Sequence, residues 1–299
     1  MTGAAVRVAA QAKVNLHLRV LAREDSGFHS LETIFHRIEL ADELTIRTTG
    51  GSRTLDVQGG ATGNVEANLA WLAAERYRAE SGWPNGFDIE LTKRIPVGAG
   101  LGGGSADAAA VLRALDALSP NPMGSHGLLR VAASLGSDVS FLASDAVMAL
   151  AWGRGERMLA FAPLPRRHLL LLTPEFSVST AEAYQWLDEL RDIVDDDKPP
   201  GPDAPLLLSP SALTSWESIA QLSRNDFEAV VIARYPALGG QLERLREHPA
   251  IMAHMTGSGS TLFGVFDSPP NSASIHGEEG GRVIMTMTSI DVVQPERVG

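Results

Sequence analysis

A glycine-rich run, Gly98 to Ser105, is the segment of this sequence whose composition most clearly predicts chemistry. It lies between a predicted strand and a predicted alanine-rich helix. Glycines let a backbone approach a phosphate group closely, and the N-terminus of the following helix adds amide donors and a partial positive charge. Five glycines in eight positions are costly in conformational entropy unless a ligand is held there. We therefore predict a phosphate-binding loop.

Three other interpretations of this run are less favoured. Gly98, Gly100 and Gly103 satisfy the spacing of a dinucleotide fingerprint. The preceding strand, however, alternates with polar residues, whereas a Rossmann strand is a continuous buried run. A Walker A loop is excluded because no Gly-Lys-Ser/Thr sequence ends the run. A flexible linker is the structural alternative.

Polar residues elsewhere could serve the same chemistry, although none is decisive alone. Asp138, in Gly136-Ser-Asp-Val-Ser140, is either a functional carboxylate or a helix cap. Lys13 could be one more solvated cation on the outer face of a strand, and His29 lies in a predicted loop. The segment Gly257 to Ser260 is either an ordinary turn or a second group of amides facing an anion.

Composition bounds the class of protein. The chain has 299 residues, of which 44% are hydrophobic and 20% charged, as in a globular protein of one large or two ordinary domains. The net charge of -11 argues against a nucleic-acid partner, whereas a nucleotide substrate needs only local amides and one or two cations. The absence of cysteine excludes disulfides and thiol catalysis. Without a secretory signal or an apolar run of roughly 20 residues, we expect a cytoplasmic protein with no membrane partner.

Hydrophobic periodicity predicts the elements that position these residues. Apolar and polar residues alternate from Val6 to Val20, which predicts a half-buried strand with Lys13 and Asn15 on its polar face. Further strands are predicted at Ile34 to Ile38, Leu44 to Thr48, Phe87 to Ile95 and Ala146 to Trp152, and helices at Asn64 to Glu80, Ser105 to Leu118, Leu128 to Leu135 and near Asp138.

The pattern restarts after residue 160. Asp195 to Pro210 is rich in aspartate and proline, which predicts a mobile excursion rather than a domain boundary. The other predicted elements are a buried strand at His168 to Thr173, a helix from Thr180 to about Leu190, two or three helices within Ser211 to Glu247, two strands within Ala250 to Phe266, and a last strand at Arg282 to Ile290.

The order of these segments resembles the GHMP kinase superfamily of small-molecule kinases. The superfamily's phosphate loop is similar to Pro96 to Ala106, and its C-terminal glycine motif resembles Met255 to Ser260. Other segments resemble the branch whose acceptor alcohol carries a diphosphocytidyl group. They are Ala12-Lys-Val-Asn-Leu16, Gly27-Phe-His-Ser-Leu31, Gly136-Ser-Asp-Val-Ser-Phe141, Gly153-Arg-Gly-Glu156, Ser177-Val-Ser-Thr180 and Asn225-Asp-Phe-Glu228, and the resemblance extends from about residue 8 to 266.

The resemblance implies an ATP-dependent kinase with Mg²⁺ as the ATP counter-ion, whose protein ligands it does not identify. Asp138 would accept the proton of the attacking hydroxyl beside Lys13, a neighbour that favours the ionised carboxylate. His29 would hydrogen-bond the cytosine edge, with Phe28 as its stacking neighbour. The implied ATP-binding residues are Asn68, Pro96, Gly98, Gly100, Leu101, Gly102, Gly103, Gly104 and Ser105. The implied substrate-binding residues are Asn15, Phe28, His29, Asp138, Thr180, Gly257, Ser258 and Gly259.

This sequence departs from the usual pattern of that branch at four positions. Phe28 stands where tyrosine is usual, which keeps a stacking face and loses a hydroxyl. Gln11 and Ser140 each replace a usual proline, and Ala106 replaces a second serine in the glycine loop. None of the four removes a predicted catalytic group.

The implied fold is α+β, with a ribosomal protein S5 domain 2-like N-terminal domain at residues 1–160 and a ferredoxin-like C-terminal domain at residues 161–299. The alternatives are another GHMP kinase, acting on homoserine or a mevalonate derivative, and a non-catalytic nucleotide-binding protein of the same fold. The Gly27 to His29 loop together with Lys13 favours the diphosphocytidyl branch. The presence of both Lys13 and Asp138 favours catalysis, and an NAD-dependent oxidoreductase ranks third for the reasons given above.

Overall fold

The computed structural model describes residues 3–23, 27–60, 63–194, 213–271 and 281–298. These residues form two β-sheets with helices packed against them, which confirms the predicted α+β fold class. The strands are β1 (Ala5–Arg23), β2 (His29–Thr49), β3 (Arg53–Gln58), β4 (Gly86–Thr92), β5 (Met148–Gly153), β6 (Arg157–Phe161), β7 (His168–Thr173), β8 (Ala250–Met255), β9 (Leu262–Phe266), β10 (Arg282–Met287) and β11 (Glu296–Val298). The helices are α1 (Leu69–Ser81), α2 (Gly103–Leu118), α3 (Gly124–Ala133), α4 (Ser137–Ala143), α5 (Thr180–Val194), α6 (Trp216–Leu222), α7 (Phe227–Arg234) and α8 (Pro236–Glu247).

The first sheet is organised around two long antiparallel strands, β1 and β2. The first part of β2, Leu31 to His36, pairs with β5, and its last part, Glu43 to Thr49, pairs with β4. The sheet therefore runs β11-β1-β2-β4-β3 at one end, while β5 and β6 extend it at the other. Ile34 to Ile38 and Leu44 to Thr48, predicted as separate pieces, both belong to β2.

Strand β1 is buried on both faces, so the prediction of a half-buried strand was wrong. Lys13, Asn15 and His17 are only 3%, 3% and 1% exposed. Their face is covered by segments distant in sequence: the Lys13 N–H donates to the Leu101 carbonyl at 3.1 Å, and the Leu18 N–H donates to the Arg224 carbonyl at 2.8 Å. Buried polar side chains must find partners, and the alternation of polar residues here marks an interior network instead of a solvated face.

The short strands β3, β6 and β11 were not predicted. They are only three to six residues long, and most of their residues are exposed or partly exposed. They are held by pairing with β4, β5 and β1 respectively. Such strands are determined by the neighbour that accepts their backbone hydrogen bonds and not by their own side chains.

The second sheet is antiparallel in the order β10-β7-β9-β8, which is the fourth-first-third-second arrangement of a ferredoxin-like domain. Strand β7 lies where the sequence predicted a buried strand. Leu169 and Leu171 belong to the core between the first sheet and its helices. Leu170 and Leu172 belong to a second core, which they form with α5, α7 and α8. Because β7 contributes to both cores, it joins the two halves of the molecule.

Several contacts cross the predicted domain boundary near residue 160, and the boundary itself stays a prediction. Trp216 and Ile219 of α6 are part of the first core, and β11 pairs with β1. The segment Asp195 to Pro210 lies outside the described residues. Within the described ranges, no helix combines the length and the apolar character needed to cross a bilayer.

Candidate active site

A cavity of about 1920 Å³ is lined by residues from both halves of the chain. It contains the first turn of α2, the N-terminus of α4, one face of α5 and the middle of β1. Of the residues predicted from the sequence as catalytic, ATP-binding or substrate-binding, all except Gly259 line this cavity. Residues that are as far apart in sequence as Lys13 and Ser258 are thus brought to one site.

Lys13 and Asp138 form an ion pair in this cavity. Lys13 Nζ lies 3.2 Å from Asp138 Oδ2, and the lysine side chain is 3% exposed whereas the aspartate is 31% exposed. Lys13 Nζ also donates to Asn15 Oδ1 at 2.6 Å and to the Gly100 carbonyl at 3.1 Å. An ammonium group has three protons to donate, and these three acceptors account for all of them. The lysine is therefore fixed, while the carboxylate remains open to the cavity.

Asp138 does not cap the helix in which it lies. The residue before α4 is Gly136, and no side chain caps this helix. Ser137, the other capping candidate, donates its hydroxyl proton to the Arg154 carbonyl. The capping interpretation is therefore wrong, and the Asp138 side chain points to Lys13.

The glycine loop packs directly against this ion pair. Gly98, Gly100 and Gly102 have φ of 71°, 76° and 71°, values that residues with a Cβ rarely adopt. A Cβ on Gly102 would lie 3.0 Å from Lys13 Cε and 3.5 Å from Asp138 Oδ2. Because the first N–H groups of α2 have no partner within the helix, the loop places anion-binding amides beside the lysine and the carboxylate.

The second glycine turn, between β8 and β9, packs against the first. A Cβ on Gly100 would lie 2.4 Å from the Thr256 carbonyl oxygen, and the Gly257 N–H donates to Asn15 Oδ1 at 3.0 Å. Ser258 shares a hydrogen bond with Thr180 at 3.0 Å. Gly259 does not line the cavity, since a Cβ there would meet Met255 Sδ at 2.8 Å behind the turn.

The Asn225 to Glu228 segment holds this second turn, a role that sequence reasoning did not assign. Asn225 Nδ2 donates to the carbonyls of Met255 at 2.7 Å and Gly257 at 2.8 Å. Glu228 Oε1 accepts from the Met255 N–H at 2.9 Å. The motif was visible in the sequence, but its target lies about thirty residues away along the chain and only folding brings the two together.

Lys93 is a second buried lysine at the cavity, and the sequence analysis missed it. It forms ion pairs with Asp42 and Asp107, and Asp42 also accepts from the Ile95 N–H at 2.8 Å. Burial, reinforced by the neighbouring Asp42, raises the pKa of Asp107 to about 8 against the pull of Lys93. This cluster fixes the chain immediately before the glycine loop. Asp107 lies two residues after Ser105, but no local pattern in the sequence indicates that it pairs with Lys93, the residue after β4.

Aromatic rings line part of the cavity, at Phe28, His29 and Tyr184. Phe28 is 58% exposed, and the Arg154 guanidinium lies 4.2 Å from its ring centroid. His29 stacks on Tyr184 with centroids 4.7 Å apart and an interplanar angle of 16°. Burial, followed by the nearby Asp138 charge, raises the pKa of Tyr184. Sequence reasoning did not name Tyr184, whose only signal is its position on the helix that begins at Thr180.

The remaining predicted ligands lie along the wall of the cavity. Asn68 caps α1, with its Oδ1 accepting from the Ala70 N–H at 2.9 Å, and Pro96 also lines the cavity. Asn15 Nδ2 donates to Thr33 Oγ1 at 2.8 Å, which fixes the amide that accepts from Lys13. No group of three or more His, Asp or Glu side chains among the described residues could hold a metal ion.

Comparison with known proteins agrees with this geometry. The family model of the GHMP kinases N terminal domain matches residues 68–153, and that of the GHMP kinases C terminal domain matches residues 207–276. The first match contains the glycine loop and Asp138, and the second contains the Gly257 turn. The two glycine segments that line the cavity thus fall one in each matched segment.

Similarity to individual proteins extends over most of the chain. A 4-diphosphocytidyl-2-C-methyl-D-erythritol kinase of Geobacter metallireducens is 40% identical over 87% of this chain and 88% of its own. A crystal structure of 4-(cytidine 5'-diphospho)-2C-methyl-D-erythritol kinase superposes with a TM-score of 0.74 at 34% identity, covering 94% of this chain and 98% of its own. A homoserine kinase from Cytophaga hutchinsonii has a TM-score of 0.66 at only 19% identity, covering 98% of this chain and 97% of its own, and shares the fold. The chain belongs to the 4-diphosphocytidyl-2-C-methyl-D-erythritol kinase family of the GHMP kinases.

Proposed function

We propose that this chain transfers the γ-phosphoryl group of ATP to the 2-hydroxyl of 4-diphosphocytidyl-2-C-methyl-D-erythritol, a step of the non-mevalonate isoprenoid precursor pathway. The observation that carries the proposal is the Lys13–Asp138 ion pair, packed against a glycine loop in a cavity that is also lined by aromatic rings. Relatives named for this activity, similar over most of the chain, support the choice of substrate.

Asp138 is the proposed base. Its carboxylate is the partly exposed member of the pair and lines the cavity, so it is accessible to an acceptor hydroxyl. The acceptor hydroxyl would lie between Asp138 and the γ-phosphate. A positioned general base of this kind contributes about 10²- to 10⁴-fold to a rate.

Lys13 and the loop amides supply the electrostatic part of the reaction. Phosphoryl transfer depends mostly on positioning and on stabilising charge that is spread over the phosphate oxygens. Lys13 cannot move away because Asn15 and Gly100 hold its ammonium group. The N-terminus of α2, from Gly103 to Ser105, would bind the ATP phosphates, with Asn68 and Pro96 near the nucleoside.

Magnesium would enter with ATP. This ion prefers oxygen ligands and usually keeps several waters while binding substrate phosphates and one or two protein oxygens. Ser105 and Asp138 both line the cavity and carry such oxygens, so the residues present fit an ion that is held mainly by phosphate and water. When bound, it would neutralise charge on the phosphates.

The diphosphocytidyl group would occupy the part of the cavity lined by Phe28, His29 and Tyr184. Phe28 offers an open ring face, and His29 would hydrogen-bond the cytosine. Arg154 stacks on Phe28 and is tied through its carbonyl to Ser137, the residue before Asp138. It therefore lies between the proposed base and the proposed cytosine site, where a diphosphate linking the two would pass. Thr180, Gly257 and Ser258 would close the site beside the phosphates.

We also propose that the enzyme works in the cytoplasm on a small molecule, without nucleic-acid or membrane partners. The net charge of -11 supports the absence of a nucleic-acid partner.

The experiment that tests the function measures ADP release from Mg-ATP with the diphosphocytidyl alcohol, homoserine and mevalonate offered separately. We expect turnover only with the first. Turnover with homoserine or mevalonate instead would keep the kinase chemistry and reject the substrate. ATP binding without ADP release from any of the three would favour a non-catalytic nucleotide-binding protein.

A further inference from the structure

Asp188 makes a direct contact with the residue proposed to recognise cytosine. His29 Nε2 lies 2.7 Å from Asp188 Oδ1, and the His29 side chain is 7% exposed. Arg23 Nη1 lies 3.6 Å from the other oxygen of the same carboxylate. Asp188 is one helical turn after Tyr184, the residue on which the His29 ring stacks. The helix α5 thus fixes both the plane of the imidazole and its rotation within that plane.

The chemistry of the two groups determines which nitrogen carries the proton. A carboxylate oxygen can only accept a hydrogen bond, so His29 Nε2 must be the donor. In a neutral imidazole the other nitrogen, Nδ1, is then an acceptor. No hydrogen bond from a described residue occupies Nδ1, and His29 lines the cavity. With its imidazole neutral, the site therefore presents an acceptor nitrogen to its ligand.

We propose that Asp188 is a positioning residue which, by holding His29 with Nδ1 as an acceptor, makes the site select an amino-pyrimidine over an oxo-pyrimidine. Cytosine carries an exocyclic amino group at C4 that donates, whereas uracil carries a carbonyl oxygen there that accepts. An acceptor nitrogen that faces the C4 substituent pairs with the amino group of cytosine and repels the carbonyl oxygen of uracil. The inference rests on the proposed function, since it assumes that a cytidine-containing acceptor binds at His29.

The selectivity expected from this arrangement comes mainly from the weaker binding of uracil. A buried polar group left facing another acceptor loses its hydrogen bond with water and gains none. Removing Asp188 frees the imidazole to rotate or to exchange its proton between the two nitrogens, after which it could donate to the uracil oxygen. The discrimination should therefore fall even if overall binding is partly retained.

The test compares Asp188→Leu and Asp188→Asn with the wild-type chain. Two quantities are measured: kcat/KM for the diphosphocytidyl alcohol and for its diphosphouridyl analogue, and the dissociation constants of CDP and UDP. Asp188→Leu should lower the cytidine-to-uridine ratio by about tenfold or more, the value of one hydrogen bond. Asp188→Asn keeps an acceptor oxygen and should retain a larger ratio than Asp188→Leu. Glu182→Gln removes one negative charge from an exposed position of the same helix and is the matched control, which should leave the ratio unchanged.

A readout that does not depend on turnover identifies the proton directly. The nitrogen chemical shifts of the His29 imidazole should show a protonated Nε2 and an unprotonated Nδ1 in the wild type, and exchange between the two forms in Asp188→Leu.

The outcomes separate this inference from the function on which it rests. If Asp188→Leu is folded and weakens both bases by the same factor, or if the wild type does not distinguish CDP from UDP, the inference is overturned while the kinase activity stands. If the wild type turns over neither substrate but binds CDP selectively, and Asp188→Leu loses that selectivity, the inference stands and the proposed reaction fails.

Discussion

Two lysines with largely buried side chains line the same cavity, and they differ in the number and the solvent exposure of their carboxylate partners. Lys13 is 3% exposed and pairs with a single carboxylate, Asp138, which is 31% exposed. Lys93 is 9% exposed and pairs with two carboxylates, of which Asp42 is fully buried and Asp107 is 4% exposed. The other acceptors of Lys13 are the neutral Asn15 amide and the Gly100 carbonyl.

This difference determines which carboxylate is accessible to the proton of a substrate hydroxyl. Asp138 can meet a substrate hydroxyl because one side of its carboxylate faces the cavity. Asp42 cannot, because its oxygens are used by Lys93 and by the backbone N–H of Ile95. A buried ion pair is weak support for stability by itself, yet removing one partner leaves an uncompensated charge and is costly. We therefore expect changes at Lys13 to act on the rate and changes at Lys93 to act on folding.

The largest effect is expected for Asp138→Asn. The amide keeps the shape of the side chain but cannot accept the hydroxyl proton, so kcat should fall by about 10²- to 10⁴-fold. ATP should still bind, because the glycine loop is unchanged. ADP release at saturating substrate measures the rate, and calorimetry measures ATP binding. Retained turnover would remove Asp138 from the role of base.

A comparable effect of a different kind is expected for Lys93→Met. It leaves Asp42 and Asp107 buried without a cation, and the free energy of unfolding should fall by about 3 kcal/mol or more. Urea unfolding measures it. Lys13→Met is the matched control: its carboxylate partner is partly solvated, so it should destabilise less and lose more kcat. A stable Lys93→Met variant with no turnover would break the comparison by giving Lys93 a chemical role.

Asn15→Asp makes the Lys13 site resemble the Lys93 site by adding a second carboxylate. The new charge would draw the ammonium away from the phosphates, and the aspartate could no longer donate to Thr33 Oγ1, which itself donates to the His17 carbonyl. We expect kcat/KM for ATP to fall by about 10- to 100-fold, the effect of losing one or two charge-assisted hydrogen bonds. Unchanged kcat/KM would show that the neutrality of the Lys13 surroundings does not matter.

The effect that is smallest over any single pH unit concerns the protonation of Asp107. Because burial raises the pKa of Asp107 from 3.8 to about 8, the folded state keeps a proton that the unfolded state releases. The resulting stability is fully present below about pH 3.8 and is lost as the pH rises to about 8. The slope is at most about 1.4 kcal/mol per pH unit, the value for one proton. Urea unfolding at several pH values should show this decline in the wild type, and Asp107→Asn should reduce it. Identical profiles would argue that Asp107 is ionised in the folded state.

Much of the fold followed from local pattern. The long alternation of β1, the buried run of β7 and the glycine-interrupted helix starts all appeared at nearly their observed positions. Strands β3, β6 and β11 did not, because they are short and are held by pairing with neighbours elsewhere along the chain. The polar face of β1 was assigned to solvent because nothing in the first twenty residues indicates the chain segments that cover it.

The sequence by itself determined the kinds of group available at the site. A run of glycines before an alanine-rich helix implies an anion-binding loop wherever it occurs, since the backbone freedom and the helix amides are local properties. Lys13, Asp138, His29 and Phe28 could be named from their motifs. Their chemical types alone were not decisive, and the roles of base, neighbouring cation and cytosine-binding residues were implied by the resemblance to the GHMP kinases.

Only the tertiary structure decided which of these groups act together. The sequence could not distinguish Asp138 as a functional carboxylate from Asp138 as a helix cap; the structure excludes the cap and brings the carboxylate 3.2 Å from Lys13 Nζ. It did not identify Lys93 with Asp42, Asn225 with the Gly257 turn, or Asp188 with His29, because each pair joins elements far apart along the chain. The physical reason is that pairing, burial and solvent access depend on which segments pack together, and no local pattern of residue types contains that information.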